Sequence, residues 1–285
     1  MVLHNHSLLP PNIIEQVTLA LAEDLGSGDR TAALIPEGRL ARATVRVREA
    51  AVLCGQPWFE AVFEQIASSV EIKWHVKEGT MTASDTLVAS LFGPARSLLT
   101  GERTALNFLQ TLSAVATQTH RFKQAVAGCG AQIVDTRKTL PGLRLAEKYA
   151  VRVGGGTNHR MGLYDGILIK ENHIAAAGSL TVAVKQALEA APPGVIVEVE
   201  VETLAQLEEA IEAGAPMILL DNMTLAQQHQ AVALGQGRAI LEVSGGVTLN
   251  TVRAIALTGV DRISVGSLTK DINAVDFSMR FQLDE

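Results

Sequence analysis

VIVEVEVE, residues Val195–Glu202, alternates valine with glutamate. In an extended chain successive side chains point to opposite faces. Val195, Val197, Val199 and Val201 therefore share one face, and Glu198, Glu200 and Glu202 the other. A solvated edge strand would read the same way. In a parallel barrel the valines pack on helices and the glutamates point inward, where carboxylates need cations or metal beside them. The flanking sequence favours the barrel. Short apolar runs recur at Gln132–Asp135, Gly166–Lys170, Met217–Asp221, Ala239–Val243 and Arg262–Val265, with helical stretches such as Leu204–Gly214 and Thr248–Gly259 between them. Strand, helix, strand at this rhythm implies parallel strands. From strand end to strand end, Asp221 to Ser244 is 23 residues and Ser244 to Gly266 is 22. That spacing suits a (β/α) barrel, and no GxGxxG follows the first strand as a dinucleotide fold would require. Six clear strands imply a barrel that is incomplete or has an unread strand.

Upstream the pattern is mixed α/β. Ile13–Gly26 has helical spacing stopped by glycine, and Ala41–Ala50 alternates like a half-buried strand. Glu71–Val76 and Thr86–Phe92 read as shorter strands. Pro94 opens a long helical pattern closed by Gly128 and Gly130, long enough to link two domains.

Composition narrows the partners. The chain has 285 residues and a net charge of −6, so nucleic acid or an anionic membrane is not expected as the main partner. Any basic cluster is local and asks for an anionic ligand. The two cysteines, Cys54 and Cys129, are not in metal-type spacing and read as plain thiols. His4 and His6 look like a metal pair, but a polar N-terminus is a poor frame for one. The start, MVLHNHSLLPPN, lacks the basic region and apolar run of a signal peptide, and no apolar run reaches the roughly 18 residues of a membrane span. A cytoplasmic protein is the expectation.

Nearly every barrel strand ends in chemistry. VDTRK brings Asp135, Thr136, Arg137 and Lys138; ILIKENH brings Lys170, Glu171, Asn172 and His173; the glutamate strand brings Glu200; ILLDN brings Asp221 and Asn222. The last two ends, Ser244-Gly245-Gly246 and Ser264-Val265-Gly266 with Ser267, are small and glycine-rich. The C-terminal rim of a parallel barrel builds its active site, and its last two loops commonly bind phosphate. Tight turns are the alternative use of those glycines. The cations Arg103, Arg137, Lys138, Arg160 and Lys170, with His159 and His173, suit carboxylate or phosphate. His159 and Arg160 lie in the glycine-rich stretch Gly154–Gly166, which reads as a ligand-approaching loop or as a merely flexible one. Arg103 sits in an otherwise apolar helix, although a helical arginine is more often a surface residue. Glu200 and Asp221 beside phosphate sites suggest Mg²⁺ held through waters and substrate oxygens, contacts to sugar hydroxyls, or simple neutralisation of the lysines. No Walker-type GxxxxGK[ST] supports nucleotide hydrolysis.

Taken together, Gly101–Thr117, Val134–Val151, Gly154–His173, Glu198–Glu202, Ile218–Asn222, Leu241–Gly246 and Ile263–Lys270 resemble the quinolinate phosphoribosyltransferase family. The resemblance runs from about Ile13 to the C-terminus. It implies an N-terminal α/β sandwich over residues 1–113, rejoined by a tail over 271–285, and an open or incomplete α/β barrel over 114–270. It also implies a homodimer whose site is completed by Arg103 of the neighbouring subunit. The implied reaction joins quinolinate to phosphoribosyl pyrophosphate (PRPP) with Mg²⁺, giving nicotinate mononucleotide, pyrophosphate and CO2. By the same resemblance Arg103, Arg137, His159, Arg160 and Lys170 cradle quinolinate, with Lys138 near it or the pyrophosphate and Thr136 also substrate-binding, while Ser244–Gly246 and Ser264–Gly266 hold the 5-phosphate and Glu200 and Asp221 serve the ribose hydroxyls and Mg²⁺-PRPP. Lys138, Glu200 and Asp221 are the implied catalytic groups. Three rivals remain at this level: a transferase acting on the monoanion nicotinate, a Schiff-base lyase using Lys170, and a non-catalytic anion-binding barrel.

Overall fold

A computed structural model describes residues 9–283; His4 and His6 lie outside the described residues. In chain order the first elements are α1 (Ile13–Leu25), β1 (Leu40–Val47), β2 (Ala51–Val52), α2 (Gln56–Ile66), β3 (Glu71–Trp74), β4 (Met81–Thr82), β5 (Thr86–Pro94) and α3 (Ala95–Ala125). Then come β6 (Gln132–Val134), α4 (Arg144–Val153), β7 (Gly166–Ile169), α5 (Glu171–Ala177), α6 (Leu180–Ala190), β8 (Ile196–Val201), α7 (Leu204–Glu212) and β9 (Met217–Asp221). The last are α8 (Leu225–Gly235), β10 (Ile240–Ser244), α9 (Val252–Ala256), β11 (Arg262–Ser264), α10 (Ser267–Lys270) and β12 (Phe277–Leu283).

The chain is mixed α/β and divides into two compact units. One holds the N-terminal part through His120, Thr139–Gly155 and the C-terminal segment from Thr269; the other holds Arg121–Lys138 and Gly156–Leu268. In the first unit β12, β1, β5 and β3 form an antiparallel sheet in that order. Ala41, Ala43, Val45 and Val47 alternate into its core, as the period of two requires. The C-terminal tail does return: β12 pairs antiparallel with β1, Phe277 opposite Val47 and Leu283 opposite Ala41.

Thr139–Gly155 differs from the sequence expectation, which grouped it with the barrel. α4 instead buries Ala146, Tyr149, Ala150 and Val151 in the first unit. The Tyr149 ring lies 5.3 Å from that of Trp58, and its hydroxyl donates to Glu78 at 3.0 Å. Gly154 needs its missing side chain here, because a Cβ would stand 2.4 Å from the Ala116 carbonyl oxygen. An amphipathic helix shows in sequence that one face is buried, but not against what.

The second unit is a six-stranded, wholly parallel sheet in the order β6-β11-β10-β9-β8-β7. All six strands read from the apolar runs are present. The sheet is open between its end strands β6 and β7. Thr157, ahead of β7, makes a single parallel bridge to Val134 of β6, a remnant of closure. The helix expected at Thr248–Gly259 is shorter, because Thr248 and Thr251 form a side-chain turn, Thr248 N–H to Thr251 Oγ1 at 3.0 Å, before α9 starts. Val197, Val199 and Val201 are buried, and so is Glu198; Glu200 is half-buried at the strand end. Glu202 lies beyond the strand, exposed.

Candidate active site

Sheet order fixes which strand ends are neighbours. Along the C-terminal rim run Thr136-Arg137-Lys138 after β6, Gly266 after β11, Ser244-Gly245-Gly246 at β10, Asp221-Asn222 at β9, Glu200 at β8 and Lys170 after β7. The two glycine-rich ends are thus adjacent, with cations on one side and carboxylates on the other. Thr136 Oγ1 accepts the Lys138 N–H at 3.0 Å, turning the chain just past β6. The Lys138 side chain then runs over Gly266, where a Cβ would meet its Cδ at 3.2 Å and Thr136 Oγ1 at 3.7 Å. Lys170 Nζ is 2.5 Å from Glu200 Oε2, an engaged ammonium rather than the isolated amine a Schiff base needs. The Asn222 side chain donates to Asp221 at 2.8 Å and packs against Gly245.

Arg160 is placed by the loop before β7. Its guanidinium donates to the Gly166 carbonyl at 3.0 Å, with the stem lying along Gly166. Desolvation lowers its proton affinity first, and the charge of Arg137 lowers it further, against the opposing pull of Glu198 and Asp165. Arg137 thus acts on Arg160 as a like charge, which an anion bound beside them would relieve.

Below the rim the interior is charged. His159 Nε2 is 2.8 Å from Glu198 Oε2 and 3.7 Å from Glu242 Oε1, and Arg262 Nε lies 2.9 Å from Glu242 Oε2. Of the glutamates of the VEVEVE pattern, Glu198 is thus partnered by the His159 imidazole and Glu200 by Lys170. Burial, then the charge of Glu198, pushes the Glu242 carboxyl up to about 7, against Arg262, His159 and Ser264. His159, Glu198 and Glu242 offer atoms within 4.8 Å of one another, but Arg262 already supplies positive charge there. Asp135, fully buried, accepts the His159 backbone N–H at 2.8 Å and the Asn158 side chain at 2.5 Å.

Several expected site residues sit differently. Val265 donates its N–H to Val134 O within the sheet, and Ser264 is buried with its Oγ toward Val243 O. Gly266, the last of that trio, borders the rim lysine. The glycine ends do not feed long helices: α9 has 5 residues and starts at Val252, and α10, directly after Gly266, has 4. His173 accepts the Lys170 backbone N–H at 2.9 Å through Nδ1 and caps α5. Both ring nitrogens of His159 are used within the protein, because Nδ1 accepts the Arg160 N–H at 2.7 Å. Arg103 is exposed on α3. The sequence reading missed Glu242, Arg262 and Asn158. Glu242 was findable, standing two residues before Ser244 as Glu198 stands before Glu200.

The comparisons agree with this architecture. The sequence model of the quinolinate phosphoribosyl transferase C-terminal domain matches residues 115–280, and that of its N-terminal domain matches 29–113. The chain is 43% identical over 257 residues to a probable nicotinate-nucleotide pyrophosphorylase [carboxylating] of Bacillus subtilis, covering 90% of this chain and 89% of that one. It is 40% identical over 272 residues to the nicotinate-nucleotide pyrophosphorylase [carboxylating] of Mycobacterium leprae, covering 93% and 95%. The solved nicotinate-nucleotide pyrophosphorylase of Francisella tularensis superimposes with a TM-score of 0.94 at 42% identity, covering 97% of this chain and 99% of that one. With both domain models matched and relatives similar along nearly their whole length, this chain belongs to the quinolinate phosphoribosyl transferase family.

Proposed function

We propose that this protein transfers the phosphoribosyl group of PRPP to quinolinate and releases CO2, giving nicotinate mononucleotide and pyrophosphate for NAD biosynthesis. One arrangement supports the reading: Arg137 follows β6, next to the glycine-rich end of β11, and its charge lowers the proton affinity of Arg160, which suits a dianion next to a phosphate. The pyridine dicarboxylate takes the guanidiniums and Lys170. The 5-phosphate takes Ser244–Gly246 and Gly266. Lys138, lying over Gly266, reaches the pyrophosphate.

No covalent nucleophile is needed. The ring nitrogen attacks C1 of the ribose as the C1–O bond to pyrophosphate breaks. Glu200 and Asp221 stabilise the positive charge that develops on the sugar. As CO2 leaves, the electron pair of the adjacent C–CO2 bond stays on that ring carbon as an ylide stabilised by the neighbouring pyridinium charge, and a proton then takes its place. Positioning and charge supply most of the rate.

Glu200 and Asp221 stand on neighbouring strands, one engaged by Lys170 and one by Asn222. Two partly engaged carboxylates are too few to cage a metal, and they fit Mg²⁺ that keeps its waters and is completed by PRPP oxygens. Bound there, Mg²⁺ would neutralise the leaving pyrophosphate. Exposed Arg103 suits a homodimer in which the neighbouring subunit lends it to the site. Free thiols at Cys54 and Cys129 suit a reducing cytosol. No helix among the described residues is long and apolar enough to cross a membrane.

The test is direct. Purified protein with quinolinate, PRPP and Mg²⁺ should release CO2 and mononucleotide in equal amounts, and chelation of the metal should abolish both. Mononucleotide without CO2, or no product at all, would overturn the assignment.

A further inference from the structure

The loop that carries Arg160 bridges the gap between the two end strands of the open sheet, and buried carboxylates hold it from both sides. From β6 come the Thr157–Val134 bridge and Asp135, which takes the His159 N–H at 2.8 Å and the Asn158 side chain. From β8 comes Glu198, which takes His159 Nε2 at 2.8 Å. The two nitrogens of His159 therefore act in series. Nδ1 accepts the Arg160 backbone N–H, so the proton sits on Nε2 and is donated to Glu198. Glu198 is 1% exposed and cannot touch a substrate at the rim. Its neighbour Glu242, braced by Arg262 on β11, approaches the same nitrogen, Nε2, at 3.7 Å.

Such a strut has a physical task. A glycine-rich loop left to itself samples many conformations, and the Arg160 guanidinium keeps its place on the Gly166 carbonyl only while the loop is anchored. Anchoring it before the dianion arrives moves that ordering cost from binding into folding.

We infer that Glu198 is a positioning residue that acts through His159 to hold the loop bearing Arg160 in place. This rests on the site being a quinolinate pocket. Glu198 acts on the acid substrate and not on PRPP, whose phosphate subsites lie on β10, β11 and β6.

The experiment compares Glu198→Leu, which removes the acceptor at similar volume, with Glu198→Gln, which keeps an acceptor oxygen for Nε2–H. Wild-type turnover of quinolinate is the control; its absence would sink the functional assignment rather than the strut. Glu198→Leu should raise the quinolinate KM and its calorimetric Kd about tenfold or more, leaving the PRPP KM and kcat within about threefold. Glu198→Gln should stay within about threefold of wild type on every constant. In an Arg160→Ala background, Glu198→Leu should change kcat/KM for quinolinate by less than about threefold, because its route of action is gone. Should Glu198→Leu not fold, Glu198→Met removes the acceptor with a more adaptable side chain and is read by the same criteria. The inference fails if the leucine variant leaves quinolinate KM unchanged or weakens both substrates alike. It fails equally if glutamine is as damaging as leucine, or if the Arg160 and Glu198 effects multiply.

Discussion

At Gly245 the backbone runs at φ +100°, and a Cβ there would stand 2.3 Å from the Asn222 side-chain oxygen. Asn222 itself holds a left-handed φ of +53° next to Asp221. Gly245→Ala should therefore strain the loop by about 1–3 kcal/mol and displace Asn222. The expected outcome is a PRPP KM raised about tenfold, with quinolinate Kd by calorimetry within about threefold, because the acid's cations lie on other strands. Equal loss of both substrates would refute that division of the rim. Rim residues such as Lys170, Glu200 and Asp221 were legible because strand ends are recognisable in sequence. The partnership of Glu242 with Arg262 was not, because it depends on the register that sets those two residues side by side on β10 and β11.

Among the elements, the strands of the parallel sheet were readable from short apolar runs that each stop at a polar group. What an element buries its face against was not, which is why α4 belongs with the first unit. The interior of the sheet carries a pH signature. The folded Glu242 carboxyl titrates at about 7, above its ordinary 4.5, because it is buried beside Glu198, with Arg262, His159 and Ser264 opposing. A raised carboxyl favours the protonated folded state. Its contribution is complete below the unfolded value and is lost as pH climbs through about 7. Between pH 5 and 8, wild type should lose on the order of 1–3 kcal/mol relative to Glu242→Gln in urea unfolding. A constant difference across that range would rule the buried acid out.

For the molecule as a whole, an acidic chain of net charge −6 concentrates its rim cations on one parallel sheet. That concentration was visible in the sequence once the strand ends were set side by side; the loop that spans the open sheet was not, since a single isolated bridge leaves no periodic pattern. The central claim is that Arg137, Arg160 and Lys170 are arranged for two carboxylates and not one. A site built to pair two anions leaves a guanidinium without its partner when one is missing, and that penalty is large. The most direct measurement is kcat/KM for quinolinate against nicotinate, each with saturating PRPP and Mg²⁺. The account predicts quinolinate favoured by about a hundredfold or more; comparable values, or a preference for nicotinate, would contradict it.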